Sequence, residues 1–285
     1  MGGALVLCGI GGGTLLSVTT DYEADTGCPA VHLERIAAAG FTHVHWCHHW
    51  NTDFLYSSAE IGAIAGWLSD LGLSVTDMHG SAGREKEWCS TVDYCRLSGV
   101  ELVANRLAMA EALGTNVVVM HLPDLHASPD ASAWAAVWRT LDALHPAAEA
   151  HGVRIAIENG STVESFEAIG AVLDRCPPDY VGLCYDSGHG NMLGTGLEWL
   201  ERFADRLIAV HLHDNDGSGD QHRIPFDGSV DWPRLAGIVA HSSYEKWASL
   251  EVSMRTYGAE EPAVFLTKAK DTGARIGRMM DAHRG

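Results

Sequence analysis

The sequence contains little positive charge. Lys and Arg number 19 against 37 Asp and Glu, which gives a formal net charge of -18 at pH 7. Phosphate contacts are made mostly by Lys and Arg, and a field of this sign repels a polyanion. An anionic membrane surface is disfavoured for the same reason. We therefore expect neither a nucleic acid nor a membrane surface as the partner.

Long apolar runs and paired cysteines are also missing. No stretch of about 18 or more apolar residues occurs, which argues against a transmembrane helix. The 7 cysteines include no CxxC pair, and an odd number of isolated cysteines favours free thiols in a reducing compartment. No basic residue precedes Arg35, so the start lacks the positive segment that a secretory signal needs. We expect a cytoplasmic protein.

The sequence is rich in short apolar runs that alternate with helix-like segments. Each run is rich in β-branched residues and turns polar at its C-terminal end, as in a strand that is buried on both faces. The runs are ALVLCGI (4–10), THVHWCH (42–48), LSVTDMHG (73–80), TNVVVMHL (115–122), VRIAIEN (153–159), YVGLCYD (180–186), LIAVHLHD (207–214) and WASLEVS (247–253). Helical spacing is found over 29–40, 57–72, 92–114, 131–151, 163–175, 196–205, 231–242 and 260–282.

Eight repeats of strand and helix predict an α/β protein with a closed (β/α)8 TIM barrel. The 285 residues amount to about 36 per unit, and barrels of about 250 residues fold as one domain. A doubly wound open sheet is the competing architecture, but the glycine-rich GIGGGT (9–14) lacks the GxGxxG register of a dinucleotide site. We therefore predict a single domain over residues 1–285, with 9–14 as a loop.

Polar side chains end six consecutive strand runs. The C-terminal ends of barrel strands meet on one face, where active sites lie. The residues are His79, His121, Glu158, Asp186 with His189, His211 with His213, and Glu251, and the loop 214–232 adds Asp220 and His222. Carboxylates and imidazoles suit Mn, Zn, Fe or Co, and several carboxylates are costly to bury together without a cation. We predict a metal site in which Glu158, Asp186, His211 and Glu251 supply three oxygen ligands and one nitrogen ligand.

The second and sixth strand runs carry further residues of interest. HVHWCHHWN (43–51) brings Trp46 and Trp50 to the barrel top, where an aromatic ring either stacks on a sugar or covers the barrel. Cys47 and Cys184 are expected to be buried residues and not nucleophiles. His213 either orients a ligand carboxylate or is a hydrogen-bonded loop residue.

Several motifs near the strand ends resemble those of a known family. They are IAIEN (155–159), CYDSGH (184–189), VHLHDNDG (210–217), DQHRIPFDGSVDW (220–232) and LEVS (250–253). The motifs are similar to those of the sugar isomerase and epimerase superfamily with the xylose isomerase-like TIM barrel. That superfamily also contains the type IV endonuclease, which cleaves DNA at abasic sites. The resemblance spans nearly the whole chain.

The resemblance implies both an activity and roles for single residues. In the ketose 3-epimerases of this superfamily one divalent ion is held by residues that match Glu158, Asp186, His211 and Glu251. The two glutamates are then the catalytic proton-transferring pair on opposite faces of the sugar, and His189 contacts the sugar. Removing a proton next to a carbonyl, through an enediolate, requires a base within reach and an electrophile. We expect a metal-dependent isomerase or epimerase of a small carbohydrate, with one Mn or Zn ion.

Three alternatives use the same residues. A lyase or dehydratase acting on an inosose or a 3-oxo-glycoside shares the proton abstraction and then loses a leaving group. The endonuclease branch holds three zinc ions, and the resemblance places one on His79, His121 and Glu158 and another on His189, Asp220 and His222. The net charge of -18 argues against DNA. A sugar-binding barrel without catalysis has no need of two opposed glutamates, and a homo-oligomer is compatible with the sequence.

Overall fold

Eight parallel strands form one sheet in the computed structural model, which describes residues 15–123, 130–258 and 260–284. The strands are β1 (Ser17–Thr19), β2 (His43–Trp46), β3 (Ser74–His79), β4 (Val117–His121), β5 (Arg154–Glu158), β6 (Val181–Asp186), β7 (Leu207–His211) and β8 (Ser249–Leu250). They follow the order β7-β6-β5-β4-β3-β2-β1-β8. Leu212, directly after β7, joins the two edges of the sheet. Its N–H donates to Ser249 O at 2.9 Å, and its carbonyl accepts from Glu251 N at 3.1 Å. The predicted TIM barrel is confirmed.

Helices surround this barrel. They are α1 (Ala30–Ala39), α2 (Ser58–Leu71), α3 (Asp93–Ala112), α4 (Ala131–His151), α5 (Val163–Arg175), α6 (Ser187–Leu193), α7 (Gly196–Arg202), α8 (Trp232–Ala240) and α9 (Pro262–Arg284). Each predicted helical segment overlaps one of them. The helix α6 is not predicted from the sequence, because its two glycines disfavour a helix. None of these helices, within the described ranges, is long and apolar enough to cross a membrane.

The first strand differs from the prediction. The sequence pattern predicts the first strand at 4–10 and a loop at 9–14, and both segments lie outside the described residues. The place between β2 and β8 is taken by Ser17–Thr19 instead. Ser17 and Thr19 are buried and polar, so this strand carries no apolar run for the sequence pattern to detect. The strand is held by its two neighbours in the sheet.

The inside of the barrel changes from apolar to polar along the strands. A small buried cluster fills part of the interior with Val117, Val119, Ala156, Cys184, Ile208 and Ala209. Two residues beyond four of its members, and therefore on the same face of each strand, stand His121, Glu158, Asp186 and His211. The apolar layer thus supports a polar layer at the C-terminal rim. Cys184 is fully buried there, as predicted.

A buried carboxylate anchors the loop between β7 and α8. Asp214 Oδ2 accepts hydrogen bonds from Trp232 Nε1 at 2.8 Å and from the N–H of Phe226 at 2.9 Å. Asp214 Oδ1 accepts from the N–H of Val230 at 3.1 Å. One side chain therefore ties together both ends of the loop that carries Asp220 and His222.

Replacing Asp214 with Ala is expected to lower the free energy of unfolding by at least about 2 kcal/mol, because buried donors would lose their acceptor. Denaturant unfolding followed by circular dichroism measures the change. The exposed Asp216, in the same loop, provides the matched control, and Asp216→Ala should cost less than about 1 kcal/mol. Equal losses for the two variants would show that Asp214 does not anchor the loop.

Candidate metal centre

Four side chains converge at the C-terminal rim of the barrel. Glu158, Asp186, His211 and Glu251 each offer a possible ligand atom, and these atoms lie within 4.8 Å of one another. Glu158 Oε2 and Glu251 Oε2 are 2.9 Å and 3.0 Å from the same atom, His211 Nδ1. The four residues predicted as metal ligands are therefore brought together. The strands β5, β6 and β7 position the first three, and Glu251 directly follows β8.

The chemistry of this group fits a divalent cation. Three carboxylates and one imidazole are the donor types that Mn, Zn, Fe and Co accept. Although Glu158 Oε2 and His211 Nδ1 lie 2.9 Å apart, they make no hydrogen bond, and among the described residues His211 Nε2 is also buried without a hydrogen-bond partner. Buried polar atoms of this kind are costly unless a partner satisfies them, and a cation would do so.

The neighbouring imidazoles keep the two glutamates ionised. Burial raises the pKa of Glu158, but His121 and His211 outweigh this effect and hold the pKa well below its usual value. Burial likewise raises the pKa of Glu251, and His211 lowers it well below the ordinary range. Both carboxylates are therefore negatively charged at neutral pH, the form that binds metal or removes a proton.

Asp186 is oriented by several hydrogen bonds. Its Oδ1 accepts from the N–H of His189 at 2.6 Å, and its Oδ2 lies 2.9 Å from His213 Nε2. The side chain of Asn159 makes two hydrogen bonds to the backbone of Asp186. Its Oδ1 accepts from Asp186 N at 2.8 Å, and its Nδ2 donates to Asp186 O at 3.1 Å. Of the two interpretations of His213, the geometry favours the orienting one, since outer partners of this kind fix a ligand carboxylate.

Two further histidines lie close to the carboxylate of Glu158. His121 Nε2 lies 3.1 Å from Glu158 Oε1, and His79 Nε2 lies 3.8 Å from Glu158 Oε2. The three also form a group with possible ligand atoms within 4.8 Å of one another. Burial lowers the pKa of His79 to about 3, so this ring is neutral. The ring of Trp50 packs 4.5 Å from that of His79, whereas Trp46 is fully buried.

The loop after β7 brings further polar side chains over the rim. Asp220 Oδ2 lies 3.6 Å from His189 Nε2 and 3.1 Å from His222 Nε2. His222 has a φ of 45°, and its Nδ1 lies 2.8 Å from the carbonyl oxygen of Glu251. The predicted residues Asp220, His189 and His222 are thus neighbours of the metal centre.

The two glutamates face different cavities. Glu158 lines a cavity of about 360 Å³ together with His121, Asn159 and His189. Glu251 lines one of about 280 Å³. Trp50, Asn51, Asp220 and His222 belong to that second cavity. The rim therefore offers two cavities, each lined by one of the two glutamates.

Asp21 is a residue of the site that the sequence analysis missed. It lies two residues beyond β1 and lines the cavity of Glu251. Burial raises its pKa, and the charge of Glu251 raises it further. A first strand at 4–10 would end far from Asp21, so the sequence gives no reason to place Asp21 at the rim. The strand at Ser17–Thr19 brings Asp21 there.

Known proteins resemble this chain in sequence. The family described as xylose isomerase-like TIM barrel matches residues 33–270. The uncharacterized protein y4fM of Sinorhizobium fredii is 32% identical, over 88% of this chain and 89% of that protein. An inosose dehydratase of Geobacillus kaustophilus is 28% identical, over 45% of this chain and 47% of that protein.

Solved structures resemble it in fold. A D-psicose 3-epimerase crystallised in the presence of D-fructose superposes with a TM-score of 0.76 at 17% identity, covering 95% of this chain and 100% of that one. The IOLI protein with a bound zinc atom gives 0.74 at 14% identity, covering 95% and 99%. At such identities the likeness concerns the fold. The match over residues 33–270 shows that the chain belongs to the family of xylose isomerase-like TIM barrels.

Proposed function

We propose that this protein is a divalent-metal-dependent isomerase or epimerase of a small carbohydrate. The observation that carries the proposal is the placement of Glu158 and Glu251 within 3.0 Å of one atom, His211 Nδ1, while each lines its own cavity. Two carboxylates on opposite sides let one remove a proton next to a carbonyl and the other return it on the opposite face. These two proton transfers together invert a stereocentre.

Names of related proteins support a sugar-modifying enzyme of this kind. The D-psicose 3-epimerase shares the fold over nearly the whole chain. The inosose dehydratases share sequence over about half of it. Both names describe changes to polyhydroxylated carbonyl compounds, which are the substrates that the polar rim suits.

In this mechanism Glu158, Asp186, His211 and Glu251 would hold the ion. A bound divalent ion supplies positive charge that stabilises the negative charge developing on a substrate oxygen. One glutamate, as the ionised carboxylate, takes the proton from the carbon, and the other, after taking up a proton from solvent, delivers that proton to the opposite face. Hydroxyl groups of the sugar find donors and acceptors in His189, Asp220 and His222. The half-buried ring of Trp50, which lines the cavity of Glu251, is suited to stacking on a sugar ring.

The substrate that fits this rim is uncharged. Among the described residues that line the two cavities, Arg255 is the only Lys or Arg. Its guanidinium Nη2 lies 3.6 Å from Asp25 Oδ2, so that charge already has a counterion. Phosphate is normally held by several such groups. The same scarcity of cations argues against the three-zinc phosphodiesterase, since DNA binding depends on neutralising phosphates.

Dehydration of an inosose is the second candidate, because the curated relatives include inosose dehydratases. The first step is the same removal of a proton by a glutamate. The departing hydroxyl then needs a proton, and the His189 imidazole, which lines the cavity of Glu158, is placed to supply one. The two reactions differ in product, since only the second releases water.

Metal content and hydrogen exchange test the proposal together. We expect about one divalent ion per chain by elemental analysis of protein purified without chelator. Incubation with ketoses and inososes in deuterated water should place deuterium next to the carbonyl of the true substrate, as NMR and mass spectrometry would detect. Chelator-treated protein is the control. Three zinc ions with phosphodiester cleavage, or sugar binding without exchange, would contradict the proposal.

A further inference from the structure

A buried histidine and aspartate lie inside the barrel beneath the metal centre. His45 on β2 and Asp77 on β3 are partners in the register of these adjacent strands. Both side chains are 0% exposed, and His45 Nδ1 is hydrogen-bonded to Asp77 Oδ1. Neither residue can touch a substrate, and the proposed proton transfer uses neither of them. An ion pair or a polar pair in this position is costly to bury, so its presence calls for a physical reason.

The hydrogen bond to Asp77 decides which nitrogen of His45 carries a proton. A carboxylate only accepts, so Nδ1 of His45 is the donor. In the neutral imidazole Nε2 then presents a lone pair. Among the described residues nothing donates to Nε2, which is buried and unpartnered. A lone pair in a dry interior requires either a donor or a cation.

The surroundings of His45 point to a cation. Its ring centroid is 4.3 Å from that of His211. One possible ligand atom each of His45, His211 and Glu251 lie within 4.8 Å of one another. This group shares His211 and Glu251 with the four residues at the rim. The carboxylate of Glu251 cannot donate to a lone pair, but a metal ion held by the same glutamate can accept it.

We propose that His45 is a further protein ligand of the metal centre, on its barrel-interior side, and that Asp77 is a positioning residue that keeps His45 in the coordinating tautomer. A carboxylate that orients a ligating imidazole through its second nitrogen is a common arrangement at metal sites. This inference rests on the proposed function in so far as both require a metal ion at the rim.

Affinity for Co²⁺ tests the assignment without any substrate. His45→Gln is expected to weaken Co²⁺ binding about 10- to 100-fold, measured by competition with a chromophoric chelator, and to change the visible absorption bands of the bound Co²⁺. His43→Gln, two residues earlier on the same strand, removes an imidazole whose ring packs on Trp247. This control should leave both the affinity and the spectrum unchanged.

Asp77→Asn provides a second, nearly isosteric test. The amide can donate to Nδ1 of His45, which moves the ring proton to Nε2 and removes the lone pair. We expect weaker Co²⁺ binding, by about 10-fold, with the circular dichroism spectrum of the folded protein preserved. In the His45→Gln background the same change should have no further effect on affinity, because Asp77 acts through His45.

The possible outcomes distinguish failure of the His45 and Asp77 assignment from failure of the proposed metal-dependent function. Wild-type protein that binds Co²⁺, with His45→Gln folded and equal to it in affinity and spectrum, would overturn the role of His45. An additive loss in the double variant would overturn the role of Asp77. Wild-type protein that binds no Co²⁺ would contradict the proposed function as well.

Discussion

Replacing Glu158 with Gln is expected to lower kcat by about 10³-fold, since a neutral amide can neither take nor return a proton. Glu251→Gln should lower kcat to a similar extent. Both side chains keep their size and an oxygen that can face the ion, so with divalent metal in excess sugar binding should largely persist. Steady-state kinetics on the substrate identified by deuterium exchange gives the ratio. Glu164→Gln, an exposed change at the start of α5, is the matched control and should retain wild-type turnover.

Hydrogen exchange distinguishes the roles of the two glutamates. If each serves one face of the sugar, each Gln variant keeps one competent base and loses the other. Glu158→Gln should therefore exchange the hydrogen of one epimer with deuterated water, and Glu251→Gln that of the other epimer, while neither interconverts the two. NMR of each epimer incubated separately measures this. A variant that still epimerises at the wild-type rate would contradict the assignment of its glutamate.

Stripping divalent metal with a chelator is expected to abolish turnover. The three carboxylates of the centre would lose the cation that offsets their charge, and the developing charge on the substrate would lose its stabilisation. Added Mn²⁺ or Co²⁺ should restore activity, and Mg²⁺ should restore less, because imidazole suits the former ions better. Undiminished turnover in protein shown to be metal-free would contradict a metal-dependent reaction.

The same treatment should also lower thermal stability. A ligand that binds only the folded state, present at 100 times its Kd, stabilises that state by about 2.7 kcal/mol. Differential scanning calorimetry with and without chelator measures the effect. Asp186→Asn should reduce the difference between the two scans, because it removes one of the charges that hold the ion.

The strand-end residues could be predicted because a parallel barrel gathers the C-terminal ends of its strands. Glu158, Asp186 and His211 each end a continuous apolar run, so their convergence follows from the fold alone. The first strand could not be placed, since Ser17 and Thr19 make it polar and its neighbours in the sheet supply its stability. Because the first strand could not be placed, the position of Asp21 at the rim could not be predicted either.

The pair of His45 and Asp77 could not be predicted for a different reason. Each residue stands inside its strand run, where a sequence pattern shows only a polar interruption. Their contact depends on the register between β2 and β3, which shifts between Val44 and His45. Such a shift arises from packing between strands and leaves no local signal in either one. The helix α6 was missed because its glycines disfavour a helix, although Asp186 caps it.

The brevity of β8 makes the two glutamates unequal. Glu158 ends a five-residue strand that is paired on both sides, whereas β8 contributes only Ser249 and Leu250. The N–H of Glu251 still bonds to Leu212 O at 3.1 Å, but its carbonyl contacts His222 and the N–H of Ser253 bonds to His222 O at 2.9 Å, so the loop holds the following residues. Glu158 is therefore held by strand pairing alone, whereas Glu251 is held partly by the barrel and partly by the loop. Sequence changes in that loop can therefore shift Glu251 while Glu158 keeps its position, so the loop is the part of the chain that can tune the distance between the two carboxylates.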